Sequence, residues 1–250
     1  MDTLIGSETD LRVIDTAGTK QILIGKLGWL QGADFVRTGP DLMLVGKDGV
    51  QVLLQDYFMQ PEPSDLLGTN GGIIDAKLVA RLAGPAAPGQ YAQASPTSPQ
   101  PIGQVDTIDG TVEATRADGT KGKLAKGDPI FQGDVVETGA KGSIALIFAD
   151  DSTFSIANDG RVVIDEMVYD ASDQTGNLKV DLVQGVLSFV SGQIAKTDPD
   201  AMLIKTPLAA VGIRGTTGVL KLPPGQPVTI ALAPNADGSV GELTVTNATG

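Results

Sequence analysis

A rhythm of short alternating runs, cut by turn residues, limits this chain more than any other feature. Ser143–Phe148 (SIALIF), Ser152–Ile156 (STFSI), Arg161–Asp165 (RVVID), Leu178–Val183 (LKVDLV) and Val186–Val190 (VLSFV) set apolar against polar positions. A period of two is that of a strand with one buried and one wet face. Turn signals such as Asp109-Gly110 and Asp118-Gly119 recur about every 8–12 residues, the spacing of an all-β sandwich or barrel. The 32 Gly and 15 Pro in 250 residues supply those turns. No helix of a dozen residues fits between 102 and 222.

The same reading divides the chain. Residues 1–91 form a first, hairpin-rich unit. Within it, Asp41–Val45 and Val50–Leu54 flank a turn at Asp48-Gly49, a hairpin signal. Residues 75–83 predict one short helix, capped by Asp75 and stopped by Gly84. Residues 92–101 (AQASPTSPQP) are a Pro/Ser linker. Residues 102–222 form the main β unit, and 223–250 read as a C-terminal β-hairpin. The last strand stops just short of residue 250, which suggests a piece of a longer protein.

Charge and composition remove several functions. Lys and Arg number 18 against 30 Asp and Glu, a net charge of −12. A nucleic-acid groove needs clustered cations, so nucleic acid is not an expected partner. The chain has no Cys and no His. Disulfides, thiolate nucleophiles, Ser-His-Asp triads and the usual zinc ligands are therefore absent. Residues 1–20 lack the basic and apolar regions of a cleavable leader. No apolar run reaches the about 18 residues of a membrane span.

The second unit resembles the FecR-like domain. The resemblance rests on Gly103-Gln-Val and Gly110-Thr-Val, then on two Gly-Asp turns, Gly127-Asp128 and Gly133-Asp134, leading to Thr138-Gly139. Ala149–Ile156, Gln184–Phe189 and Gly192 continue it. It closes on Thr206-Pro207 and on Gly212-Ile213-Arg214-Gly215-Thr216. It implies a mainly β fold, with antiparallel strands in a β sandwich or barrel-like domain. A softer resemblance covers Phe35-Val-Arg37, Gly39, Asp41, Asp48-Gly49 and Asp56-Tyr57-Phe58. These are similar to the N-terminal hairpin module of large, type I-secreted surface proteins of Gram-negative bacteria.

Together the two imply a non-enzymatic structural or retention module of an adhesin-like protein, at the cell surface or outside the cell. The alternative is a periplasmic FecR-type sensor that binds an outer-membrane protein. Either way the partner is a protein or the rest of a larger chain. No small-molecule substrate, metal or other cofactor is expected.

Each motif also has a plainer reading. The Gly-Asp pairs are turn chemistry, with calcium as the alternative, which would need about 6–8 oxygens. Arg214 is expected to hold a buried structural carboxylate. Asp165 and Glu166 adjoin on a strand and point to opposite faces, so they cannot flank one glycosidic bond. Phe131, Phe148, Phe154 and Phe189 are core. Ala86-Ala87 and Ala209-Ala210 could be di-alanine cleavage sites, but small residues in a loop or strand explain them.

Overall fold

A computed structural model describes residues 11–86, 99–197, 201–234 and 238–247. The first unit runs β1 (Leu11–Asp15), β2 (Gln21–Gly25), α1 (Leu27–Gly32), β3 (Asp34–Thr38), β4 (Asp41–Val45), β5 (Gln51–Gln55), a 3-10 turn (Tyr57–Met59), β6 (Asp65–Gly68), β7 (Ile73–Ile74) and α2 (Ala76–Ala83). The expected hairpin is β4–β5, with Gly49 at φ 84° in its turn. The helix forms as read: Asp75 accepts the Leu78 N–H at 2.8 Å, and Gly84 ends it. Two pairings were not legible. β1 lies parallel to β5 and β2 parallel to β6, giving a four-stranded sheet β1-β5-β4-β3 and a three-stranded sheet β2-β6-β7.

The second unit continues with β8 (Gly103–Asp109), β9 (Val112–Thr115), β10 (Lys121–Lys123), β11 (Pro129–Ile130), β12 (Val135–Thr138), β13 (Ser143–Phe148), β14 (Thr153–Ile156), β15 (Arg161–Asp170) and β16 (Thr175–Val190). After α3 (Ile194–Thr197) come β17 (Met202–Lys205), β18 (Ala209–Arg214), β19 (Thr217–Leu222), β20 (Thr229–Ala233) and β21 (Glu242–Asn247). The fold is mainly β, a curled half-barrel of chiefly antiparallel strands. β16 is its spine. Its first half pairs β15 and, in parallel, β17; its second half pairs β14 and β19.

The sequence predicts two strands where β16 is one. Gly185, between the two predicted runs, has φ 105° and stays within the one strand. A Cβ there would sit 2.6 Å from the Gly160 Cα, so only Gly allows the contact. The expected C-terminal hairpin is also corrected. β20 pairs β19 and β21 pairs β18, so the last two strands extend opposite halves of the sheet. Linker residues 92–98, Ala87 and Asp237 of the expected last turn lie outside the described residues.

The expectation of one wet face fails along β12, β15 and β16. Val136, Val162, Ile164, Val180 and Leu182 enter the core of the second unit. Val135, Val163 and Val183, on the opposite face, enter the core of the first, with Leu30, Phe35, Leu54, Tyr57 and Val79. A face that would meet water in a free sheet is covered by α1, α2 and the four-stranded sheet. Each such Val contributes about 2 kcal/mol by leaving water. Phe148, Phe154 and Phe189 are buried as expected; Phe131 is half-buried under the Arg116 guanidinium.

Candidate functional site

The most heavily built polar region is the seam where the first unit covers β15 and β16. One end is organised by two side chains. Gln31, at the end of α1, is wholly buried. Its Nε2 donates to the Val183 carbonyl at 2.8 Å, and its Oε1 accepts from the Gly225 N–H at 2.8 Å. Arg161 reaches back from β15. Its Nη1 donates to the carbonyls of Ala33 (2.8 Å) and Gln31 (3.2 Å), and its Nε to Glu137 Oε1 (2.7 Å). Nη2 lies 3.7 Å from Asp34 Oδ1. A planar guanidinium with five fixed donors serves these acceptors together, which an ammonium could not.

The other end is acidic. Asp165 is the extra residue of a β-bulge: Ile164 pairs with Val180, and Glu166 with Lys179. The bulge turns Asp165 toward the first unit. There it takes Lys77 of α2 at 2.7 Å. Glu166 pairs with Lys179 instead, so the two carboxylates do face apart. Asp181, two residues before Val183, points the same way as Val183 and is 8% exposed. It lines a cavity of about 240 Å³ with Asp75, Leu78, Lys205 and Thr206. Burial pushes its carboxyl up to about 7; Asp165 and Asp75 add to this, while Lys205 and Lys77 oppose it. A third tie joins the units: the Ile73 N–H donates to the Pro207 carbonyl at 2.7 Å.

The residues singled out from the sequence are scattered and mostly structural. Gly127 and Gly133 have φ of 85° and 87° in their turns. Asp128 Oδ2 accepts from the Ala125 N–H, closing its own loop. Asp134 differs. It is fully buried, takes the Phe131 N–H and ion-pairs with Arg116, while its Oδ1 is unsatisfied. Desolvation raises its pKa. Thr138 Oγ1 donates to the Ala157 carbonyl and accepts the Gly160 N–H. Thr206 Oγ1 donates to the Ala209 carbonyl and takes two backbone N–H groups in the turn carrying Pro207. Gly212, Ile213 and Arg214 lie in β18, paired with β21. Gly215 follows at φ 52°, and the Thr216 N–H donates to the Ser191 hydroxyl oxygen. Ala209-Ala210 is likewise strand, paired with Asn247 and Thr246.

The Arg214 expectation is overturned. Its side chain is 57% exposed, and its carboxylate neighbour, Glu242 at 4.0 Å, is 75% exposed. Arg214 alternates outward from buried Ile213, so the motif buries its aliphatic neighbour and leaves the cation in water. Sequence reasoning missed Gln31, Lys77, Arg161 and Asp181. The available signal was the broken alternation: Val135-Val136, Val162-Val163-Ile164 and Leu182-Val183 place apolar side chains on both faces.

Residues 134–233 match the family model described as FecR protein. This segment is a FecR domain. It runs from the buried Asp134 to the end of β20, so it contains Thr138, Arg161, Asp181 and the Thr206–Thr216 stretch. No curated protein matches the chain. A solved structure described as "Cell surface anchoring domain" is 35% identical over 25% of this chain and 82% of its own, with a TM-score of 0.24. Among the described residues, no helix is long and apolar enough to cross a membrane.

Proposed function

We propose that the chain is a non-enzymatic docking and retention body: an N-terminal module of a large secreted surface protein, in which the first unit is a fixed part of the FecR domain. The observation that carries this reading is the seam. Gln31 and Arg161 are buried and make directional bonds from one unit to the other, and the flanking Val135, Val163 and Val183 join the apolar core of the first unit. A body meant to stop, space or seat a larger chain must transmit load without its parts separating. A shared dry core with directional ties provides that. The side chains at the seam hold backbone carbonyls and each other, an arrangement suited to positioning rather than to bond making.

The FecR match supports a second reading, a periplasmic sensor domain that binds an outer-membrane protein. The two differ in size and place. An immunoblot of fractionated native cells, with an antibody against residues 102–222, separates them. A band far larger than a 250-residue chain, in the surface or medium fraction, is the expected result. A band confined to the periplasm, near the size of this chain, would overturn the retention reading and favour the sensor.

A further inference from the structure

The first unit carries a cleft outside the FecR match that the seam does not use. It is a cavity of about 280 Å³ where β1 and β5 meet the end of β2 and α1. Ile24, Val50 and Val52 contribute apolar walls, and Arg12, Lys26 and Asp48 the charges. Trp29, the single Trp of the chain, lines it and is half-buried. The indole is held in place twice. Its Nε1 donates to Asp48 Oδ1 at 3.0 Å, and Gly46 packs so tightly that a Cβ there would come within 2.2 Å of Nε1. An aromatic ring fixed by a hydrogen bond and by a glycine contact is a preorganised stacking surface.

Charge narrows the ligand. The chain as a whole is strongly acidic, yet this cleft has two cations and one carboxylate. Arg12 spends Nη1 on the Ile24 carbonyl at 3.1 Å, which aims the rest of its guanidinium. Lys26 is exposed. Asp48 accepts from Trp29 and from the Val50 N–H, and the indole bond holds its carboxyl below the usual range, so it stays an acceptor. We infer that the Trp29 cleft is a binding site for an acidic saccharide: the C–H face of one uronate pyranose on the indole, its carboxylate at Lys26 and Arg12, a ring hydroxyl donating to Asp48. The volume suits about one sugar ring, and a pocket of this kind, apolar with a few convergent polar groups, is the usual form of a small-ligand site. A polynucleotide fits worse, because Asp48 and the acidic surroundings oppose successive phosphates.

The single Trp makes the test direct. The whole chain is titrated with trigalacturonate and, separately, with neutral maltotriose, following indole emission. Trigalacturonate is expected to change the emission saturably, and maltotriose to bind about tenfold more weakly because it lacks the charge-assisted contacts. Lys26→Glu, an exposed change whose folding is checked by circular dichroism, is expected to weaken trigalacturonate by about tenfold or more. No saturable change with trigalacturonate overturns the site. Equal binding of the two sugars, or an unaffected folded Lys26→Glu variant, overturns the assignment of an acidic ligand.

Discussion

The two ends of the seam solve one problem differently. At the Gln31–Arg161 end, the Gln31 amide and the Arg161 cation both meet complementary groups, the cation being matched by Glu137 and by backbone carbonyls, while the neighbouring Gln184 Oε1 is buried with no hydrogen-bond partner among the described residues. At the Asp165–Asp181 end, the same sheet face turns carboxylates toward α2, and Lys77 satisfies only Asp165. The contrast teaches that the interface is held from one side and is electrostatically tense on the other. A satisfied buried network stabilises and specifies, while an unpaired buried carboxyl costs desolvation.

The harshest way to break the contrast is Arg161→Ala. It removes the cation from two carbonyls and Glu137, leaving buried acceptors unpaired. A loss of about 4 kcal/mol is expected in urea unfolding. Gln31→Leu keeps the bulk but orphans the Val183 carbonyl and the Gly225 N–H, at a cost of about 2 kcal/mol by the same assay.

The opposite end should respond with the opposite sign. The folded-state pKa of Asp181 is raised, so its contribution to stability is fully present below about pH 4 and is lost as pH rises through about 7. Asp134, also raised, acts in the same direction. Asp181→Asn should therefore stabilise the protein by about 1.5 kcal/mol near pH 8, and the advantage should vanish toward pH 4. Unfolding curves of both proteins across that range check it. The smallest effect sharpens the contrast from outside the seam. Arg214→Ala, in the motif that closes the FecR-like stretch, should change stability by no more than about 0.5 kcal/mol, because the side chain is in water.

The strand content, the β4–β5 hairpin and the capped helix α2 were legible because each follows from local chemistry: period two, Asp-Gly turns, an Asp cap. The curl was not, because a Gly within an alternating run reads as a break, whereas Gly185 bends an unbroken strand against Gly160. The strand pairings of β20 and β21 depend on which edges of the sheet stay open, and no local pattern encodes that. At the candidate site, the signature residues were visible but serve turns and strands. The joining residues were hidden because Arg161 and Asp181 sit at positions that ordinarily face water. Only the doubled apolar residues beside them, Val162-Val163 and Leu182-Val183, betray a second covered face.

The shared core of the seam requires that the first unit and the FecR domain unfold as one body. Scanning calorimetry of the intact chain tests it most directly. A single transition whose calorimetric and van't Hoff enthalpies agree, shifted as a whole by Arg161→Ala, is expected. Two resolved transitions in the unmutated protein, with only one moved by that substitution, would contradict it.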